Sequence, residues 1–104
     1  MRAWTQQEAI ELCILIESKA PEHGCHVALT GGLLYKAGAR TDCDVVLYRI
    51  RQVEAIDVIG LKGSLNRLGV TIGVDFSWGF KANYEGKKID FFLPETTSDG
   101  QEYP

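Results

Sequence analysis

An α/β (or α+β) fold, a single mixed β-sheet with helices packed mainly on one of its faces, follows from three observations. A helix-start signal opens the chain. Short β-prone runs follow, separated by Gly, Pro and acidic punctuation. The periodicity switches between them in the order helix, strand, short helix, strand, helix and three strands. Helices and strands mixed at this density pack naturally as one layer of helices on one sheet.

The helix-start signal is Thr5-Gln6-Gln7-Glu8, a capping box in which hydroxyl and carboxylate each accept the other residue's amide. Ala9, Leu12, Cys13, Ile16 and Ala20 then recur at helical spacing, with Pro21 and Gly24 as stops, so a helix is expected over 5–20. Trp4 suits the hydrophobic staple ahead of the cap. Cys25 to Thr30 reads as a buried strand entering the Gly31-Gly32 turn, and 33–37 leaves room only for a short helix before Gly38. A second strand, beside the first, is expected over Asp42 to Arg49, where Val45, Val46, Leu47 and Tyr48 are strongly β-prone.

Ile50, Val53, Ile56, Leu61, Leu65 and Leu68 lie at near-helical spacing and predict a helix across that stretch, interrupted by Gly60 and Gly63. Val70 to Phe76 predicts a strand, and the runs 80–84 and 87–93 flank Glu85-Gly86 as a hairpin would. Pro94 ends it. One domain is expected over 1–94, with a polar tail over 95–104 that frays.

At 104 residues the chain has room for one small domain, so any further substrate-binding lobe is expected from a protein partner or a second copy of the chain. The net charge of −3 provides no general basic field for nucleic acid. DNA binding as the main activity is therefore disfavoured. The 3 cysteines, Cys13, Cys25 and Cys43, are widely spaced and form no C-x-x-C, which predicts reduced thiols and a cytoplasmic protein. No window approaches the ~18 apolar residues of a membrane span.

The chemistry concentrates in Thr30-Gly31-Gly32, a spacer over 33–41, and Asp42-Cys43-Asp44. Two glycines let backbone approach an anion, and a helix starting at Leu33 directs free amides to the same place. On a strand Asp42 and Asp44 project from one face, with Cys43 and Val45 behind. Close carboxylates repel each other, and a hard divalent cation such as Mg²⁺ relieves that repulsion. A phosphate cradle beside metal-binding carboxylates points to a nucleoside triphosphate (NTP).

These residues resemble the nucleotidyltransferase superfamily with the DNA polymerase beta-like fold, above all its minimal single-domain members. Gly31-Gly32, Thr41, Asp42 and Asp44 match that pattern in order, and the likeness spans roughly 25–93. The resemblance implies that Asp42, Asp44 and Asp90 are catalytic and hold two Mg²⁺ ions. Asp90, in the strand after Gly86-Lys87-Lys88, is the best match for the third carboxylate, and Asp75 is its competitor. It implies transfer of a nucleoside monophosphate (NMP) from NTP to an acceptor hydroxyl on a protein, RNA or small molecule. Gly31, Gly32, Lys36, Arg40 and Thr41 would line the nucleotide. Similar small proteins are often antitoxins acting on a paired toxin, so a protein partner is expected. Leu33 and Leu34 depart from the pattern, which often has a polar or basic residue after the glycines. The rival reading is an inactive module of the same fold that binds and regulates a partner protein through a surface such as Trp78–Phe80. His23 and His26 read as surface or strand-end residues rather than a zinc site, Lys87-Lys88 as a solvated turn, and Cys43 as a packed thiol.

Overall fold

Helix α1 runs Gln6–Glu17 in the computed structural model, which describes residues 3–35 and 38–95. The capping box is complete: Thr5 Oγ1 accepts from Glu8 N at 3.2 Å, and Glu8 Oε1 from Thr5 N at 2.9 Å. The helix stops three residues short of the expected 20. Ser18 and Lys19 close the last turn, and Pro21, which has no amide to donate, opens a separate 3₁₀ turn over Ala20–His23 that ends on Gly24 at φ 85°.

The strands are β1 Cys25–Thr30, β2 Asp42–Arg49, β3 Val70–Phe76, β4 Gly79–Tyr84 and β5 Lys87–Phe92. Two further helices are α2 Gly32–Tyr35 and α3 Val58–Arg67. The sheet order is β1-β2-β5-β4-β3, with β2 and β5 parallel and every other pair antiparallel. Alternation assigns the faces. Cys43, Val45 and Leu47 of β2, Phe80 and Ala82 of β4, and Ile89 and Phe91 of β5 are buried against Leu12 and Ile16 of α1 and Leu61 and Leu65 of α3. The intervening residues form the opposite face, left uncovered by the described residues.

The segment 50–57 is not helical, contrary to its spacing. Arg49 Nη1 donates to the carbonyls of Ile50 and Val53 at 3.2 and 2.6 Å, taking acceptors that a helix would use. Asp57 then caps α3, its carboxylate accepting from Gly60 N at 3.0 Å while its own amide donates to His23 O at 2.8 Å. His23 joins the 3₁₀ turn to α3 through Ser64 Oγ at 2.7 Å.

Trp4 does more than staple α1. Fully buried, it donates from Nε1 to Lys88 O at 2.6 Å and exchanges two backbone hydrogen bonds with Arg40. Lys87 is not a solvated turn residue. It is 3% exposed, its Nζ lies 4.6 Å over the Trp4 ring, and Glu8 and Glu85 pair with it at 3.3 and 3.9 Å. Of the tail expected over 95–104 only Glu95 is described, 3.8 Å from Arg49. Among the described residues no helix is long and apolar enough to cross a membrane.

Candidate functional site

The register of the sheet lines up chemistry across four strands. Thr30 on β1 stands opposite Asp44 on β2, Asp44 opposite Asp90 on β5, and Asp90 opposite Lys81 on β4. Neighbouring strands are about 4.8 Å apart, so the Asp44 and Asp90 side chains leave the sheet side by side. Asp42, two residues before Asp44, shares the face and stands opposite Lys88. Asp42, Asp44 and Asp90 thus share one face of the sheet. Asp75 does not join them. It stands opposite the buried Phe80, on the helix side of the sheet, and pairs with Lys62 of α3 at 2.5 Å.

The Gly31-Gly32 turn lies against this row. Gly31 has φ 72°, and a Cβ there would strike the Asp44 carboxylate. A Cβ on Gly32 would meet the Arg40 guanidinium at 2.6–2.7 Å. The glycines therefore admit an acidic and a basic side chain at close range. Helix α2, at four residues, offers one turn of amides and little dipole, so cationic side chains must carry more of any phosphate charge. Arg40 and Thr41 are exposed beside the row. Lys36 lies outside the described residues.

Lys81 is the member that the motif did not reveal. Its Nζ donates to Asp90 Oδ1 at 2.9 Å, and that hydrogen bond raises the Lys81 pKa above its ordinary value. With Asp42, Lys88, Asn83, Asp90 and residues 71–74 of β3 it lines an open cleft of about 450 Å³, within the range of small-molecule sites. Burial raises the Asp44 carboxyl above the ordinary aspartate value, the Asp90 and Asp42 carboxylates add to this, and Lys81 offsets part of it.

Among the described residues no three acidic, histidine or cysteine side chains converge as a finished metal cage, and Asp90 gives one oxygen to Lys81. The donor set nevertheless fits a hard divalent cation. All three candidates are carboxylates, and Asp44 carries the like-charge strain that such an ion relieves. Cys43, behind the pair, is no nucleophile: burial, then the Cys13 thiol and Asp44, push its pKa up to about 12. His26 pairs with Glu17 at 2.5 Å, and neither histidine approaches the row.

A raised carboxyl has a thermodynamic consequence. Ionised Asp44 is costlier in the folded chain than in the unfolded one, so its contribution to stability is full below its unfolded pKa and lost as pH rises past its folded pKa. Asp44→Asn should therefore raise the melting temperature in EDTA at pH 7, and the advantage should shrink as pH falls through the carboxylate range. A lower melting temperature for the variant at pH 7 would contradict this assignment.

No protein-family model matches the chain, and no curated protein matches its sequence. Among solved structures it is similar to ANT(2")-Ia, an aminoglycoside nucleotidyltransferase, in complex with adenylyl-2"-tobramycin. The TM-score is 0.61 at 18% identity, covering 91% of this chain and 56% of that one. The likeness shows a nucleotidyltransferase-like fold, and the chain spans little more than half the length of that neighbour.

Proposed function

We propose that the chain is a minimal, Mg²⁺-dependent nucleotidyltransferase that moves an NMP from NTP to an acceptor hydroxyl and releases pyrophosphate. The carrying observation is the register of Asp44 against Asp90, with Asp42 on the same face and Gly31-Gly32 packed against Asp44. Asp42 and Asp44 would hold the cation that grips the triphosphate, and Asp90 would complete a second cation site. When bound, such ions neutralise charge on the attacking and leaving oxygens. Asp90 orients the acceptor hydroxyl and takes its proton as the acceptor oxygen bonds to the α-phosphorus. The bond from that phosphorus to the bridging oxygen breaks, and pyrophosphate leaves with the electron pair. Arg40 stands over the glycine turn to balance phosphate charge. Lys81 and Lys88 in the cleft favour a neutral or anionic acceptor over a cationic one.

A protein partner or a second copy of the chain would supply substrate contacts beyond this open cleft. The Lys81–Asp90 pair favours one further reading, an inactive module with its own ammonium in place of a bound cation. As a surface for that role Trp78–Phe80 fails in part, because Phe80 is fully buried in the core.

Calorimetric titration of ATP, GTP, CTP and UTP, with Mg²⁺ and with EDTA, separates the two readings. Metal-dependent binding that disappears in the Asp42→Ala/Asp44→Ala double variant is expected. A folded protein that binds none of the four would remove the enzyme reading and leave the module.

A further inference from the structure

We infer that Phe76, Trp78 and Phe92 form a shelf on which a nucleobase stacks, a subsite next to Asp90 that rests on the nucleotidyl-transfer reading. Phe76 and Trp78 lie ring on ring, with centroids 5.0 Å apart and planes 4° apart, and Phe92 adjoins Trp78 at 5.0 Å. Phe76 is 44% exposed although it is large and apolar. Gly79 stands between Phe76 and Phe92 in the register and adds no side chain to the shelf.

The shelf belongs to the carboxylate row. Phe92 follows Asp90 by two residues on the same strand face, a step of about 6.6 Å, close to what a ribose spans between phosphate and base. Lys81 links the two features. Its Nζ is bonded to Asp90 and lies 5.7 and 5.9 Å from the Trp78 and Phe76 ring centroids. Flat rings, one exposed and two partly buried, with a cation within 6 Å of two of them suit a planar ring joined to a phosphate. The same pairing of aromatic platforms with basic side chains serves single-stranded nucleic acids. The base could be that of the NTP or that of an acceptor nucleotide.

Tryptophan fluorescence reads the shelf directly. The chain has 2 tryptophans, and Trp4 is fully buried, so a small ligand that quenches emission by contact must reach Trp78. Adenosine alone should quench wild-type protein and not Trp78→Leu. The same variant should weaken Mg²⁺-ATP about tenfold while leaving inorganic tripolyphosphate unaffected. Phe76→Leu, checked by its thermal melt, should act in the same direction. A non-hydrolysable ATP analogue that quenches Trp78 and blocks adenosine assigns the base to the donor. An analogue that binds silently, with adenosine still quenching, assigns it to the acceptor. Millimolar adenosine without quenching overturns the inference, as does quenching by N-acetyltyrosinamide alone, which would make the shelf a dock for a partner's side chain. Adenosine quenching with no binding of tripolyphosphate or Mg²⁺-ATP would instead overturn the transfer reading and leave the shelf as a base-binding site.

Discussion

Asp90→Asn is expected to lower pyrophosphate release from Mg²⁺-NTP by roughly a thousandfold or more, while Asp75→Asn leaves it within a few-fold. The size follows from losing both a cation ligand and the group that takes the acceptor proton. Together these are worth several kcal/mol of barrier, at about 1.4 kcal/mol per factor of ten. The asymmetry follows from the register. Asp90 stands beside Asp44, whereas Asp75 is on the other face, tied to Lys62. Release can be followed with a coupled pyrophosphate assay, water serving as acceptor where no other is supplied. Loss of release in Asp75→Asn with Asp90→Asn intact would reverse the assignment of the third carboxylate. Equal, wild-type rates in both would remove it from the reaction.

Trp4→Ala should be the most damaging single change to the fold, at roughly 3–5 kcal/mol, the range for emptying a buried aromatic site. Total stabilities of only about 5–15 kcal/mol make that a large share. The ring fills core between the start of α1 and β5, covers Lys87, and satisfies Lys88 O. Trp4→Phe keeps most of the packing and loses the indole donor, so about 1 kcal/mol is expected from the unsatisfied carbonyl. Urea midpoints of the two variants give the comparison. Equal losses would mean that the hydrogen bond, rather than the ring, carries the effect.

The elements whose signals are local could be read from the sequence. The capping box of α1, the strand entering Gly31-Gly32 and the hairpin at Glu85-Gly86 each depend on neighbours a few residues away, and all three are present. The hairpin also fixes which residues face each other further along its strands. A two-residue turn with positive φ at Glu85 and Gly86 pairs Tyr84 with Lys87, and stepping outward along the ladder sets Lys81 against Asp90. Lys81 was therefore legible in the sequence. The segment 50–57 misled because its apolar spacing is helical while its carbonyls are taken by Arg49, a contact that periodicity does not encode. Lys87 misled because burial of a lysine depends on Glu8 and Trp4, far away in sequence. The choice between Asp90 and Asp75 was open for the same reason. Which carboxylate meets Asp44 depends on parallel pairing of β2 with β5, a non-local contact whose register the sequence does not display.

The irregularity of β3 between Ile72 and Asp75 also affects how the molecule behaves among its own copies. As an outer strand, β3 presents unpaired backbone groups, and with Val74 63% and Phe76 44% exposed it has the apolar character that recruits another strand. A bulge interrupts that template, and the Lys62–Asp75 pair places charge beside it. The other outer strand is guarded differently, by the Glu17 carboxylate, which accepts from Val27 N at 3.0 Å. Both margins of the described sheet thus carry a device against edge-to-edge aggregation, one a bulge with a charged pair, the other a carboxylate that occupies an edge amide.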